Sequence, residues 1–273
     1  MDTPSLIQHI RNKGSFLCVG IDPVLERLPV HLRNEEEEGL LTFCKAIVDA
    51  TAAHCVAFKP NAAFFEAFGV KGWSALTDLV AYIKANHPSH LIIADAKRGD
   101  IGNTAKAYAK AFFETMTCDA ITLSPYMGVE TLVPFLAYPD KFAIVLALTS
   151  NEGAFDFQWS TDQAKTHLVD QVITKTQELS HNERIMYVVG ATQSSQLKHL
   201  RTLAPNAFFL MPGIGAQGGS LSEAYQAAKN ESVGVLVNSS RGIIYASSGE
   251  DFAQAAQKEA ASLHDQMRAL LYI

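Results

Sequence analysis

The chain has 273 residues, 48% apolar, 9% aromatic and 18% charged, and 22 basic against 28 acidic side chains leave a net charge of −6. This composition excludes collagen-like, coiled-coil and intrinsically disordered classes. The negative balance argues against general binding of nucleic acid or anionic membrane, although a local cluster of cations can still hold a phosphorylated small molecule.

Short β-rich apolar runs alternate along the chain with stretches of helical spacing. The run at 16–20 is followed by a helical stretch at 38–51, that at 55–58 by 72–86, and that at 91–94 by 104–115. The pattern continues with 120–123 and 129–136, then 142–148 and 162–179, then 186–189 and 194–203. It ends with 207–210 and 221–228, then 233–237 and an alanine-rich amphipathic stretch at 251–271. Strands that are apolar throughout, rather than alternating, are buried on both faces and so belong to a parallel sheet sheathed by helices. Eight such units in a chain of this length predict an α/β fold of the (β/α)8 barrel type. No Pro/Gly/Ser-rich linker interrupts it, so residues 1–273 read as one domain.

Four cysteines (Cys18, Cys44, Cys55, Cys118) have no CxxC spacing, and three of them, Cys18, Cys55 and Cys118, lie in or beside apolar runs. They read as small buried hydrophobes in a reduced, cytoplasmic protein. The first residues, with Asp2, Arg11 and Lys13, lack the layout of a signal peptide, and the longest apolar run, 142–148, is far too short to span a bilayer. The acidic run 35–38 reads as a solvated helix start. Phe64, Phe65 and Phe68 recur at helical spacing and read as core. The segment 150–159 is a longer loop that could border a site.

In a barrel the C-terminal ends of the strands face the active site. The first predicted strand ends in Gly20-Ile21-Asp22-Pro23, the second in Phe58-Lys59-Pro60-Asn61 and the third in Ala94-Asp95-Ala96-Lys97-Arg98-Gly99-Asp100. Asp95 and Lys97 are two apart and so point the same way from a strand. Thr104 lies four residues beyond Asp100, one turn on if a helix begins near Ile101. An alternating set of Lys59, Asp95, Lys97 and Asp100 keeps every member ionised. Such a set is also compatible with a structural plug of the barrel mouth.

A second constellation lies near the end of the chain. A glycine-rich loop, Met211-Pro212-Gly213-Ile214-Gly215-Ala216-Gln217-Gly218-Gly219, follows the seventh strand, and Asn238-Ser239-Ser240-Arg241-Gly242 follows the eighth. Glycines let backbone N–H groups approach an anion, arginine offers a planar fork to phosphate oxygens, and this is where many barrels hold phosphate. Ser150 and Asn151, after the fifth strand, either form a turn or hydrogen-bond a polar ring. Nine histidines form no HxH or HExxH pattern, so neither a metal site nor a catalytic triad has support, and His54 reads as structural.

These segments resemble the orotidine 5′-phosphate decarboxylase family, in its bacterial second type. The resemblance is carried by Val19–Pro23, Phe58–Asn61, the run Asp95-Ala96-Lys97-Arg98-Gly99-Asp100-Ile101-Gly102-Asn103-Thr104, Leu123–Gly128, Pro212–Gly219 and Ser240–Ile243. The DxKxxD core is shared with a wider group of barrels that includes hexulose-phosphate synthases, whereas the DAKRGDIGNTA form is much more specific. The resemblance implies decarboxylation of orotidine 5′-monophosphate to uridine 5′-monophosphate and CO2, without metal or cofactor, as the last step of pyrimidine synthesis. It implies a small-molecule nucleotide as the partner, no nucleic acid or membrane, and a homodimer.

Carried to matching positions, Lys97 would protonate C6 of the ring, and Asp95 would sit beside the departing carboxylate. Asp22 and Lys59 would contact the ribose hydroxyls, with Lys59 also holding Asp95. Asp100 and Thr104 would enter the partner's site across a dimer interface. Ser150 would read the pyrimidine edge, and Gln217 and Arg241 would bind the phosphate. Ile101, Pro212 and Gly218 complete the implied substrate-binding set. The chemistry suits these residue types: loss of CO2 leaves a localised carbanion with no electron sink, which a fixed ammonium can stabilise and then protonate. Two other readings remain. A magnesium-dependent aldolase or synthase of sugar phosphates needs extra carboxylates at strand ends, where the second strand offers Lys59 instead. A non-catalytic phosphate-binding barrel would keep the charges as a structural network.

Overall fold

The computed structural model describes residues 1–33, 36–190, 194–213 and 220–272. In chain order its elements are α1 (Thr3–Lys13), β1 (Leu17–Ile21), α2 (Val30–Arg33), α3 (Glu36–Thr51), β2 (Ala57–Pro60), α4 (Ala62–Glu66) and α5 (Gly69–Asn86). There follow β3 (Leu91–Arg98), α6 (Gly102–Lys110), β4 (Ala120–Leu123), α7 (Val133–Leu136), β5 (Phe142–Leu148) and α8 (Leu168–Gln177). The last are β6 (Ile185–Val189), α9 (Ser194–Leu203), β7 (Phe209–Pro212), α10 (Leu221–Ala228), β8 (Val235–Ser239), α11 (Arg241–Ile244) and α12 (Phe252–Leu271).

The eight strands pair in sequence order, all parallel, and β8 closes on β1 through Leu17↔Val237, Cys18↔Asn238 and Val19↔Ser239. This is the (β/α)8 barrel that the continuous apolar runs predict. Every residue of β1, β2, β4 and β6 is buried, because each strand has barrel interior on one side and helices on the other. The four cysteines are buried and unbridged. Among the described residues no helix is long and apolar enough to cross a membrane.

The elements depart from the sequence reading where polar residues complete a strand or tertiary contacts shorten a helix. β3 runs to Arg98, four residues past its apolar part, because its charged end continues the barrel wall. The 162–179 stretch is helical only over Leu168–Gln177, since Asp162 turns the chain by accepting the Thr166 N–H at 2.9 Å. The 104–115 stretch is α-helical only to Lys110 and ends in a wider π-type turn over Ala111–Thr115. The unanticipated α1 starts on Asp2, which accepts from the Ser5 N–H at 2.9 Å, and stops at left-handed Gly14 (φ 69°). Of the three phenylalanines read as core, Phe65 is fully buried and Phe68 packs against the core, while Phe64 lines a cleft with Pro23 and Val24. Glu38 is exposed at the start of α3, and Glu35 lies outside the described residues.

The N-terminal end of the barrel is fastened by buried polar clamps. Asp119 accepts from Lys84 Nζ at 2.5 Å and from the Ile92 N–H at 2.9 Å. Arg201 donates to the carbonyls of Ala204, Ala207, Ala228 and Gly234 while its guanidinium lies 3.8 Å from the centre of the Phe209 ring. These contacts serve stability and leave the opposite end for chemistry.

Candidate active site

At the C-terminal rim, β2 delivers Lys59 and β3 delivers Asp95 and Lys97. Lys59 Nζ lies 2.6 Å from Asp95 Oδ2, and Lys97 Nζ lies 2.6 Å from Asp95 Oδ1. A third donor, the Thr122 hydroxyl of β4, reaches Asp95 Oδ1 at 3.0 Å. The side chains of Lys59 and Asp95 are only 6% and 10% exposed, whereas that of Lys97 is 48% exposed. One cation is thus structural in setting and the other opens to the mouth. Burial is the strongest single influence on Asp95 and opposes its charge, but the two ammonium groups outweigh it and hold the carboxyl well below the usual carboxylate range. Burial likewise opposes the Lys59 charge, and the carboxylates of Asp95 and Asp22 more than reverse that, raising its pKa.

Lys97 is not in regular strand geometry. Its φ of 48° lies in the left-handed region, which costs a residue other than glycine on the order of 1–2 kcal/mol. Here β3 advances from Ala94 to Arg98 while its partner β4 advances only from Ile121 to Leu123, a bulge that contains Lys97. Asp95 and Lys97 therefore meet through a bulge, not through the plain alternation expected of a strand. The next residue holds the bend: Arg98 pairs with Glu66 of α4, donates to the Ala96 carbonyl at 3.0 Å and stands 5.6 Å from the Tyr108 ring centre. Gly99 follows, where a Cβ would come within 2.7 Å of the Ser124 carbonyl oxygen, so only glycine fits.

Asp22, just past β1, accepts from the Ser240 hydroxyl at 2.6 Å, and Tyr245 donates to its carbonyl at 2.9 Å. The same tyrosine hydroxyl accepts the Val24 N–H at 2.6 Å, fixing the loop that carries Asp22. Gly20 permits the approach of Ser240, whose Cβ would stand 2.7 Å from an added Cβ. Asp22 Oδ1 and Asn238 Oδ1 are buried without a partner among the described residues. An unpaired buried acceptor costs about 1–3 kcal/mol, so both atoms call for a donor from a ligand or water.

Arg241 opens α11 as an exposed side chain with no polar partner among the described residues. Pro212 ends β7 in register with Asn238. Gln217 and Gly218 lie outside the described residues. Ser150 follows β5 and packs on Gly190, where a Cβ would come 2.8 Å from the Ser150 nitrogen. With Asn151, Phe155 and Trp159 it borders a cavity of about 100 Å³. Larger clefts of about 660 and 790 Å³ lie around the N-terminal ends of β5 to β8, far from these charges, so size alone does not mark the site.

Asp100 departs from the alternating set read from the sequence. Among the described residues no ion pair joins it to Lys97; its carboxylate accepts the Ile101 N–H at 2.8 Å. Ile101, the N-cap of α6, and Thr104 in its first turn are exposed. Tyr126 and Met127, in the loop after β4, are exposed large side chains as well. Sequence reasoning also missed Thr122 and Tyr245. Thr122 carried a usable signal, as the one polar residue in the apolar run 120–123. Among the described residues, no group of three or more His, Cys, Asp or Glu side chains is placed to hold a metal ion.

Comparison with known proteins places the chain in a family. Residues 15–258, which include every charged group above, match the Orotidine 5'-phosphate decarboxylase / HUMPS family. The chain belongs to that family. It is 49% identical over 271 residues to an orotidine 5'-phosphate decarboxylase of Phocaeicola vulgatus, covering 99% of each chain. A protein of the same name from Bacteroides fragilis is 50% identical over 267 residues, 98% of this chain and 97% of that one. Among solved structures, that of Leishmania donovani OMP decarboxylase aligns with a TM-score of 0.84 at 35% identity, with both chains covered in full.

Proposed function

We propose that the barrel mouth converts orotidine 5′-monophosphate to uridine 5′-monophosphate and CO2 in pyrimidine synthesis, without a metal, and that Lys97 protonates C6. The observation that carries this is the Asp95 carboxylate clamped at 2.6 Å by each of two ammonium groups, only one of which opens to the mouth. Half-identical relatives bearing the decarboxylase name over the full chain support the substrate.

In the reaction the bond from C6 to the carboxylate breaks heterolytically. CO2 departs, the electron pair stays on C6, and Lys97 Nζ supplies the proton, to be replaced from solvent. A unit charge about 4 Å away in a site of effective dielectric near 20 is worth about 4 kcal/mol, and it strengthens as the carbanion develops. The bulge and Asp95 set that charge in place beforehand, so little reorganisation is needed during the reaction. Asp95 would also repel the substrate carboxylate and be relieved as CO2 leaves, a smaller contribution than the preorganised field.

Asp22 Oδ1, buried and unpaired, accepts a ribose hydroxyl, and Lys59 donates to a second. Arg241, with Gln217, Gly218 and Pro212, holds the phosphate, and Ser150 meets the ring edge. Asp100, Ile101 and Thr104 serve the site of a second copy in a homodimer. In support, Asp100 is not used by its own Lys97, and exposed Ile101, Tyr126 and Met127 offer apolar surface. The reading is of a one-domain cytoplasmic enzyme. Against a magnesium-dependent sugar-phosphate enzyme stands Lys59, a buried cation beside the carboxylate that a metal would need.

An absorbance assay with orotidine monophosphate in excess EDTA tests the proposal. Wild type should turn over fully, and Lys97→Ala should lose at least about 1,000-fold in kcat while still binding uridine monophosphate. Inhibition by EDTA, or substantial turnover by Lys97→Ala, would refute it.

A further inference from the structure

Thr122 is fully buried on β4, and its one hydroxyl meets both partners of the reacting pair. It donates to Asp95 Oδ1 at 3.0 Å and accepts the Lys97 backbone N–H at 2.9 Å. A hydroxyl has one proton to give and two lone pairs, so this use fixes its rotor. In a regular parallel ladder the Lys97 N–H would find a carbonyl of the neighbouring strand. The bulge between Ala94 and Arg98 removes that partner, and pairing resumes only where Ser124 donates to the Arg98 carbonyl at 2.8 Å. The Thr122 oxygen supplies the missing acceptor at the residue whose backbone is left-handed.

We infer that Thr122 is a positioning residue for proton delivery. Its hydroxyl ties the Lys97 main chain to the Asp95 carboxylate, so the ammonium and its counter-ion keep one geometry relative to the ring. Its hydroxyl meets the Lys97 main chain and the Asp95 carboxylate, and it acts through them. The inference rests on the decarboxylase reading and deepens it.

Valine has nearly the shape of threonine and suits a buried strand, so Thr122→Val removes the hydroxyl and its hydrogen bonds with little change in volume. It should lower kcat about 30- to 100-fold, the scale expected when a reacting group is misplaced by a fraction of an ångström to 1 Å, with KM and uridine monophosphate affinity changed by less than about 3-fold. Thr122→Ser restores the hydroxyl and should return kcat to within about 5-fold of wild type. Hydrogen exchange at the Lys97 amide should quicken in the valine variant and stay slow in the serine variant. Thr122→Ala, which lacks the two γ-methyl groups of valine, should show the same kcat loss and covers the case in which valine does not fold. Turnover of folded Thr122→Val or Thr122→Ala within about 3-fold of wild type overturns the inference, as does failure of serine to rescue. Absence of decarboxylation in wild type itself would instead refute the decarboxylase reading.

Discussion

Replacing Asp95 by asparagine keeps the shape of the side chain and its hydrogen bond from Thr122 but removes the anion between two cations. At charge separations of about 3.5 Å and an effective dielectric near 20, each ammonium is attracted by roughly 5 kcal/mol. Lys97 is half exposed, so water recovers much of its share, whereas Lys59 is 6% exposed and cannot be rehydrated in place. Breaking one side of a buried pair costs about 3–5 kcal/mol, and that is the expected loss for Asp95→Asn by urea unfolding at pH 7 with an unchanged m value.

The pH dependence gives a sharper sign. In wild type the Lys59 pKa is raised above its unfolded value, so its stabilisation is present below about pH 10.5 and is lost only as pH rises through the folded value. In Asp95→Asn only Asp22 among the carboxylates is left to oppose burial, so the Lys59 pKa is expected to fall below the unfolded value, and the unfolded chain then binds more protons over that interval. The variant should therefore gain stability between pH 7 and 10, where wild type is flat in this contribution. An unfolding midpoint equal to wild type at pH 7, or no upward slope in the variant, would show that Asp95 is not the counter-charge of Lys59.

Arg241→Ala should weaken uridine monophosphate binding by about 1.5–3 kcal/mol, roughly 10- to 150-fold, and leave uridine binding unchanged; calorimetry with both ligands decides. Burial pushes the His90 imidazole down to about 4, with His9, His87 and Lys13 nearby adding positive charge, while its hydrogen bond to the Ala52 carbonyl opposes the shift. The folded state then binds fewer protons than the unfolded state between pH 6.5 and 4. Stability should fall by up to about 3 kcal/mol over that interval, and His90→Leu should flatten the slope measured by urea unfolding. Lys97→Ala and Asp100→Ala should each be inactive alone and regain turnover when mixed and allowed to exchange subunits; no recovery would place Asp100 outside the partner's site.

The strands were legible because burial on both faces leaves continuous apolar runs that recur at regular spacing, although helix α5 carries one as well, Leu79-Val80-Ala81-Tyr82-Ile83. Their ends were not, since β3 continues through Asp95, Lys97 and Arg98, residues whose polarity hides their place in the wall. The charged cluster at the end of β3 was readable because its members lie within a few residues of one another. The Asp22–Ser240 contact joins residues 218 apart, and only closure of β8 on β1 creates it. Nor does lysine carry any preference for a left-handed backbone: the bulge, the Thr122 hydroxyl and the Arg98–Glu66 pair impose it together. Spacing along the chain could not show that Asp100, placed beside Lys97 in the alternating set, has its carboxylate on the Ile101 N–H within its own chain. Helix α1 escaped because only Leu6 and Ile10 face fully inward, although Asp2 and Gly14 mark both its ends.

Proton transfer is reversible, so the group that protonates C6 also removes that proton from the product. Uridine monophosphate bound to the enzyme in deuterium oxide, followed by proton NMR, reports this step apart from decarboxylation. Wild type should exchange the C6 hydrogen, and Lys97→Ala, with the nucleotide still bound, should not. Undiminished exchange in Lys97→Ala would mean that another group carries the proton.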